Sequence, residues 1–471
     1  MAPGITDLPP SPSPPAVKST ATKTVPLAST SSNGHAGGEP GAEDTHNLNL
    51  DNLNNNSNNG ESTAATTTTS QEDETPPSTF RYTTTKNLRD AQRRVEHDFR
   101  SDTVTVPTED MMQAIIDASF QDDLYDESGD ECVNRLQDRL AEMTGKEAAL
   151  WVLSGTMGNQ ICLRTHLVQP PHTVLLDYRA HVHCWETGAL PVMSQASVTQ
   201  VHPSNGVHLT VDDVKRHIIP EGSIYFPPTR VVSLENTLSG TILPLKDARE
   251  ISDFVRSFPV PEGERPIAMH LDGARLFDAV VAEGVDLKEY CACFDSISIC
   301  LAKGLGAPMG SVIVGSKKFI QRAKYFRKMF GGGTRQPGMM AAAALAALEH
   351  TIPRLPQVHA LTRQTAASIR ALGYTIALPV QTNMIVLDLA KDGIPAAAFV
   401  EYGKRHGVTL FPSGRLVFHH QNSPAAVEKL VAALRELMED KKAGKTLVDH
   451  EVSGVMCNDI PYLIINALAG E

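Results

Sequence analysis

The chain has 471 residues, of which 41% are hydrophobic and 20% are charged, so it is long enough to build one large domain or two to three ordinary ones. Its net charge of −12 argues against a nucleic acid or an anionic membrane as the main partner. The sequence contains no stretch near the roughly 20 consecutive apolar residues that cross a bilayer, so we expect no membrane partner.

The first 92 residues have the composition of a low-complexity arm. Ten of the 31 prolines precede residue 90, an Asn-rich run covers 52–59, and the first aromatic residue is Phe80. Such a segment buries too little apolar surface to offset its ordering entropy, which predicts disorder over 1–92. The arm also lacks the apolar core of a secretory signal. Because the seven cysteines have no CxxC spacing, we expect free thiols in a cytoplasmic protein, with no metal site.

From about Val95, helical periodicity alternates with short β-branched runs, a pattern typical of a mostly parallel sheet covered by helices. We predict a large domain over 93–352, a small C-terminal α+β domain over 353–442 and a tail over 443–471. Helices are predicted at Thr108–Ser119, Asn134–Met143, Leu245–Phe258, Lys317–Lys328, Gly338–His350, Val358–Leu372 and Pro424–Met438. Strands are predicted at Ala149–Val152, Thr173–Leu176, Thr229–Leu234, Ile267–Leu271, Ser296–Cys300, Ser311–Val314, Met384–Leu389 and Arg415–Phe418.

Ser154, Gly155 and Thr156 stand where the first predicted strand turns into a helix. Free N–H groups and hydroxyls at a helix N-terminus bind phosphate, although an ordinary Ser/Gly turn has the same composition. The glycines of 303–310 do not match the spacing of a dinucleotide-binding loop.

Two further strand ends carry chemistry. Asp272 ends the run before Gly273, where it would hold a protonated ring nitrogen, bind a metal or cap the next turn. Lys303 follows an apolar strand, and a half-buried lysine is the usual Schiff-base nucleophile. A phosphate turn, a strand-end Asp and then a strand-end Lys occur in the order found in fold-type-I pyridoxal phosphate enzymes, whose cofactor needs all three.

Seven motifs in collinear order over residues 95–440 resemble the low-specificity L-threonine aldolase family, and the fungal branch in particular. The resemblance implies the fold-type-I α/β architecture, with a mostly parallel seven-stranded sheet in the large domain, and pyridoxal phosphate as the cofactor. It also implies a homodimer or homotetramer. The motifs are Phe99–Pro107, Ser154–Gln160, Tyr178–His181, Ser233–Thr237, His270–Arg275, Leu301–Ser311 and Arg327–Gln336.

The same resemblance implies roles for individual cofactor-site residues. Lys303 would bind the cofactor aldehyde, Asp272 would pair with the pyridine nitrogen, and His181 would stack on the ring. Glu186 would support that histidine or an active-site water. The phosphate would be held by Ser154, Gly155 and Thr156, and by Lys328 and Arg335 reaching across a subunit boundary.

The substrate carboxylate would be held by Ser101, Arg275 and Arg415, with Arg275 also at the cofactor, because the planar guanidinium fork suits a carboxylate. Tyr125 resembles an active-site tyrosine, although it is followed by Asp126 where the family usually has glycine.

The resemblance implies cleavage of L-threonine, L-allo-threonine and other β-hydroxy-α-amino acids to glycine and an aldehyde. Family members commonly carry a histidine just after the Glu-Asn-Thr motif, where this chain has Leu238 and Ser239. That difference leaves open a second reaction on the same fold, amino-acid racemisation, as in fungal alanine racemases that resemble this family. A catalytically silent scaffold is disfavoured, because it would have no need for Lys303, Asp272 and His181 together.

Overall fold

The computed structural model describes residues 82–124 and 129–448. The chain forms two sheets in this part. The strands are β1 (Ala148–Val152), β2 (Thr173–Asp177), β3 (Ser197–Val201), β4 (Thr229–Glu235), β5 (Ala268–Gly273), β6 (Ser296–Cys300), β7 (Ser311–Gly315), β8 (Met384–Val386) and β9 (Arg415–Val417). The first half contains α1 (Lys86–Val95), α2 (Glu109–Ile116), α3 (Glu131–Thr144), α4 (Gly155–His166), α5 (His181–Cys184), α6 (Ala189–Ser194) and α7 (Val211–His217). The second half contains α8 (Leu245–Ser257), α9 (Leu276–Glu283), α10 (Leu287–Ala292), α11 (Lys317–Met329), α12 (Gly338–Thr351), α13 (Leu355–Leu372), α14 (Ala396–Arg405) and α15 (Pro424–Lys442).

The main sheet has seven strands in the order β1-β7-β6-β5-β4-β2-β3, and β7 runs opposite to the other six. Strands β2, β4, β5, β6 and β7 are buried almost throughout. Burial on both faces is why β2 and β7 read in the sequence as short apolar runs, whereas β5 and β6 also bury polar residues. Six of the seven strands were predicted, all but β3, and the predicted and observed bounds agree to within one or two residues. The exposed and half-buried β3 lacks that apolar signal.

The parallel direction of β4, β5 and β6 brings their carboxyl ends to one edge of the sheet. Glu235, the last residue of β4, is the register partner of Asp272 on β5. Asp272 is in turn the partner of Ser298 on β6. Ligands of open α/β sheets bind at this edge, so the topology alone places the candidate site there.

Helix α4 lies against β5 and β6, and its N-terminus opens toward the same edge. Ser154 caps it by accepting a hydrogen bond from the Met157 N–H at 3.2 Å. An added Cβ at Gly158 would lie 2.4 Å from Ser298 Oγ, so glycine is what allows α4 to pack this closely on the sheet.

The C-terminal part has its own two-stranded antiparallel sheet, β8-β9, and a separate apolar core. Phe99, from the N-terminal side of the chain, is fully buried in that core, and its carbonyl accepts from the Val417 N–H at 2.9 Å. The start of the first motif, at Phe99, is therefore tied to the C-terminal part. The division at residue 352 stays a prediction.

Helix α1 overlaps the end of the predicted arm. Thr85 caps this helix by accepting from the Leu88 N–H, and Val95 is its buried residue. The arm was therefore predicted to extend too far, since residues 86–92 are helical; their almost wholly polar sequence hides the helix from an apolar-periodicity argument. Residues 1–81 and 449–471, which include most of the predicted arm and tail, lie outside the described residues.

Six described cysteines are unpaired thiols, five of them buried, as predicted. Across residues 82–124 and 129–448, none of the helices is both long and apolar enough to cross a bilayer.

Candidate active site

Three chemically active side chains are gathered at the carboxyl edge of the sheet. Glu235 ends β4, Asp272 lies at the end of β5, and Lys303 follows the end of β6 by three residues. Lys303 is half-buried, and its backbone carbonyl is held by the Thr105 hydroxyl at 2.9 Å. A fixed backbone at this point directs a flexible amine into the site.

Asp272 is buried and accepts two hydrogen bonds. The Asn159 amide donates to Oδ2 at 2.7 Å, and the Ala274 N–H donates to Oδ1 at 3.1 Å. Both groups donate to the carboxylate of Asp272, and the closer donor, Asn159, belongs to α4 rather than to the sheet. The carboxylate is thereby held in one orientation at the strand end.

Glu186 joins α4 to the predicted stacking histidine. Its carboxylate is buried and accepts from the amides of Asn159 at 3.0 Å and Gln160 at 2.5 Å. His181 Nδ1 lies 2.8 Å from the same carboxylate and must donate to it, since a carboxylate oxygen only accepts. The backbone N–H of His181 donates to Glu235 at 2.8 Å. Two carboxylates therefore hold the His181 residue from opposite ends.

The charges around His181 favour its protonated form. Burial alone would lower the pKa of His181, but the hydrogen bond to Glu186 and the negative charges of Asp272 and Glu235 outweigh burial and raise it. Burial and the neighbouring Asp272 charge raise the pKa of Glu235 to about 7. The site therefore contains an imidazole that is more basic than usual and a carboxyl group that exchanges a proton near neutral pH.

The N-terminus of α4 fits a phosphate. The backbone N–H groups of the first helical turn have no intrahelical partners, and the exposed hydroxyl-bearing residues Ser154 and Thr156 flank Gly155 there. Together with the strand-end carboxylate and the amine, the donor set matches the three polar ends of pyridoxal phosphate. The residues present therefore fit that cofactor.

Arg275 forms a buried bidentate ion pair with Asp102, at 2.7 Å from Nε and 2.5 Å from the terminal nitrogen. The Asn383 amide adds a third donor to Asp102 at 3.2 Å. Although burial opposes ionisation, the Arg275 charge prevails and lowers the pKa of Asp102 to about 2. Arg275 is thus fixed by Asp102, and its contact with a substrate carboxylate stays a prediction.

Arg415 and Ser101 are far apart in the sequence but lie close together in the structure. A terminal nitrogen of Arg415 donates to the Arg100 carbonyl at 3.4 Å, one residue before Ser101. The Ser101 hydroxyl accepts from the Thr103 N–H at 3.2 Å. The tertiary fold therefore brings two of the three predicted carboxylate-binding residues side by side.

The predicted phosphate contacts across a subunit boundary lie at the surface of this chain. Lys328 is exposed in the last turn of α11, and Arg335 is exposed and forms an ion pair with Asp122 at 3.0 Å. Tyr125 lies outside the described residues. The roles of Lys328, Arg335 and Tyr125 therefore stay predictions.

Within the described ranges, one group of His and acidic side chains is close enough to hold a metal ion. It consists of His181, Glu186 and Asp272, whose ligand atoms lie within 4.8 Å of one another. Asn159 donates to both carboxylates, and an amide N–H₂ between two carboxylates takes the position that a cation would need. Glu186 and Asp272 are therefore hydrogen-bonded through Asn159 rather than open to a shared cation.

Comparison with known proteins decides the family. The beta-eliminating lyase family matches residues 98–392. The probable low-specificity L-threonine aldolase of Schizosaccharomyces pombe is 45% identical over 343 residues, covering 73% of this chain and 88% of that protein. The chain belongs to the low-specificity L-threonine aldolase family.

Two other proteins are similar to this chain, one in its fold and one in its sequence. A solved structure of Leishmania major threonine aldolase superposes with a TM-score of 0.60 at 17% identity, over 73% of this chain and 99% of that chain, and so shares the fold. An alanine racemase of Cochliobolus carbonum is 36% identical, covering 73% of this chain and 87% of that protein. The predicted fold-type-I α/β architecture, the pyridoxal phosphate cofactor and the lyase class are confirmed.

Several polar residues of this aldolase-family site were not singled out from the sequence. Asn159, Gln160, Glu235 and Asp102 all lie inside the quoted motifs, yet motif membership gave none of them a role. Their functions depend on which carboxylate or cation the fold brings opposite them. The sequence feature that could have indicated these residues is the presence of amide and acidic side chains within motifs at strand ends.

Glu235 should make the stability of the cofactor-free protein depend on pH. The pKa of Glu235 is about 7 in the folded protein and 4.5 ordinarily. The contribution of Glu235 to the free energy of unfolding is therefore fully present below pH 4.5 and is lost as the pH rises through about 7. Glu235→Gln should therefore flatten the fall in Tm between about pH 5 and 8. Glu131→Gln, at an exposed helix position, is the control. A Glu235→Gln profile parallel to that of the wild type would contradict the shifted pKa.

Proposed function

We propose that this protein cleaves L-threonine and L-allo-threonine, along with other β-hydroxy-α-amino acids, to glycine and an aldehyde. The observation that supports this most strongly is the cluster in which His181, Glu186 and Asp272 are joined through Asn159. It combines a base, its supporting acid and a carboxylate for a ring nitrogen at one sheet edge.

Pyridoxal phosphate, when bound, supplies an electron sink for the pair released as the Cα–Cβ bond breaks. Asp272 would hold the ring nitrogen protonated, and Lys303 would provide the amine that captures the aldehyde. The first turn of α4, at Ser154, Gly155 and Thr156, would hold the phosphate. Lys328 and Arg335 would support the phosphate from a neighbouring subunit.

His181 is the proposed base. Its Nδ1 is committed to Glu186 at 2.8 Å, which leaves Nε2 to take the proton of the substrate β-hydroxyl. The raised pKa of His181 makes its neutral form, which is the form that accepts the proton, a stronger base than an ordinary imidazole. Glu186 then stabilises the imidazolium that forms. Ser101, Arg415 and Arg275 would hold the substrate carboxylate, and Tyr125 would complete the substrate site.

A direct assay tests the proposal. The purified protein with pyridoxal phosphate is incubated with L-threonine or L-allo-threonine, and acetaldehyde and glycine are measured. A parallel incubation with L-alanine is analysed for D-alanine. Acetaldehyde production without D-alanine is expected. If none of the β-hydroxy amino acids yields an aldehyde, the aldolase assignment is wrong.

Racemisation of alanine is the second candidate. It is favoured by the similarity to the Cochliobolus carbonum racemase and by Leu238 and Ser239 in place of a histidine. Racemisation needs a proton removed from one face of Cα and returned on the other, for which Lys303 and His181 would serve. D-alanine formation in the same assay would decide for it.

Ser239→His should raise the rate of aldol cleavage. Ser239 has a positive φ of 55°, a backbone conformation that His and Asn tolerate better than most residues. The new imidazole would assist proton removal from the β-hydroxyl, so we expect kcat to rise several-fold, by about half a decade to one decade. Ser239→Asn is the matched control, because it accepts the same φ without an imidazole. An unchanged or lower kcat for Ser239→His would contradict this account of the missing histidine.

We further propose a cytoplasmic homodimer or homotetramer. Support comes from large apolar side chains that one chain leaves exposed around α5 and α6, including Trp185, Val192 and Met193. The six unpaired cysteines described above suit a reducing compartment. Light scattering coupled to size-exclusion chromatography measures the assembly, and a monomer would overturn it.

A further inference from the structure

A line of polar side chains is buried between α4 and the main sheet. His270 and Asp272 are two residues apart on β5 and therefore point to the same face of the sheet. Asn159 and His166 are seven residues apart on α4 and therefore share one face of the helix. The two faces meet, so polar groups on both sides must satisfy one another.

Three contacts connect these groups. His166 Nε2 lies 2.8 Å from Ser296 Oγ, and the same hydroxyl lies 2.9 Å from His270 Nδ1. His270 Nε2 lies 3.4 Å from Asn159 Oδ1. His270 and Ser296 are fully inaccessible to solvent, and Asn159 is 1% exposed. The line ends at the carboxylates of the proposed cofactor site.

Chemistry determines the direction of each hydrogen bond. Asn159 Nδ2 faces the carboxylates of Asp272 at 2.7 Å and Glu186 at 3.0 Å, and only a donor is stable there. Its Oδ1 therefore faces His270. An amide oxygen only accepts, so the hydrogen must be on His270 Nε2.

The remaining bonds follow from the neutrality of His270. Burial lowers its pKa to about 3, so the ring carries a single N–H and its Nδ1 accepts. Ser296 must then donate its one hydrogen to His270 Nδ1 and accept from His166 Nε2–H. Every hydrogen bond in the line thus points toward Asp272 and Glu186.

We propose that His270 is a positioning residue for the cofactor site: its Nε2–H locks the Asn159 amide in the orientation that gives one hydrogen to Asp272 and one to Glu186. The inference rests on the proposed function, because Asp272 and Glu186 matter through the cofactor and His181. Without this hydrogen bond the buried amide oxygen loses its donor, so the Asn159 side chain can tilt out of its place between the two carboxylates. Asp272 then has a poorly aligned donor and is poorly oriented for a ring nitrogen.

Two variants of His270 separate this role from simple packing. In His270→Gln the side-chain amide reaches the place of Nε2 and can still donate to Asn159, whereas in His270→Asn it reaches only the place of Nδ1. The dissociation constant for pyridoxal phosphate is measured by titrating the cofactor-free proteins and following visible absorbance. We expect His270→Asn to bind about tenfold more weakly or worse, and His270→Gln to stay within about threefold of the wild type. Equal affinity in all three proteins, or equal losses in both variants, would overturn the inference.

A neutron structure of the wild-type holoenzyme tests the direction without any variant, so the inference stays testable even if His270→Asn does not fold. Hydrogen on His270 Nε2 and on Ser296 Oγ toward Nδ1 is the expected result. Hydrogen on His270 Nδ1 instead would refute the lock. Failure of the proposed function is distinguishable, because a protein that gives the expected His270 results but yields no aldehyde from any β-hydroxy amino acid would fail in the proposed function alone.

Discussion

Replacing Lys303 with alanine is expected to abolish aldol cleavage and to remove the visible absorption band that the protein acquires with pyridoxal phosphate. Lys303 is half-buried three residues beyond the end of β6, at the edge that also carries Asp272 and Glu235. An amine held there is the nucleophile that the cofactor aldehyde needs. Absorbance spectra and acetaldehyde production from L-threonine measure the two effects.

Lys303→Arg is the matched control for that substitution. The Lys303 charge helps to lower the pKa of Asp102 and opposes the raised pKa of Glu235, so its loss disturbs local electrostatics as well as nucleophilicity. Arginine keeps the charge but not the nucleophilic amine, and should be as inactive as alanine. Borohydride reduction and peptide mass analysis of the wild type should locate the cofactor on Lys303. A cofactor found on another lysine, or a persistent band in both variants, would contradict the assignment.

Asp272→Asn is expected to lower kcat by about a hundredfold to a thousandfold, while the protein stays folded. The substituted amide keeps the size of the side chain, and its oxygen can still accept from Asn159, which donates to Asp272 at 2.7 Å. The Ala274 N–H, which donates to the other carboxylate oxygen at 3.1 Å, loses its acceptor. What is lost is the negative charge that keeps a ring nitrogen protonated, and with it the electron sink. Steady-state kinetics with saturating cofactor measure the change.

The control for Asp272→Asn is Asp213→Asn. Asp213 is also fully buried, but it closes the capping box of α7 with Thr210 and forms an ion pair with Arg216. Its substitution should lower Tm with kcat unchanged. If both variants lose activity in proportion to their loss of stability, the charge of Asp272 has no specific role.

The fold could be predicted to a large extent because its strands are buried on both faces. A parallel strand covered by helices is mostly buried on both faces, so β2 and β4 stand out as short runs rich in apolar and β-branched residues. β5 and β6 also carry buried polar residues and were predicted from their remaining apolar residues. The helix caps were equally local, since Thr108 accepts from the Met111 N–H at the start of α2. Helix α1 and strand β3 were missed because each buries little apolar surface. Six further helices were also not predicted, most of them too short to show a helical period: α5, α6, α7, α9, α10 and α14.

The sequence indicates some residues of the candidate site but not their partners. Asp272 and Lys303 could be found from the sequence, because a charged residue directly after an apolar strand is conspicuous in one dimension. Arg275 was equally conspicuous, yet its bidentate pairing with Asp102 depends on two segments separated by 173 residues. A motif can indicate a charged residue such as Arg275, but it does not indicate which residue, here Asp102, forms the ion pair with it.

The sequence by itself determined the order of most strands and of the longer helices, the strand-end residues Asp272 and Lys303, and the family. All of these are local patterns of apolar burial and motif. Only the tertiary structure decided the partners: Glu186 with His181, Asn159 between two carboxylates, and His270 behind Asn159. The physical reason is that a buried polar group must be satisfied by whatever the fold brings within about 3 Å, whatever its distance along the chain.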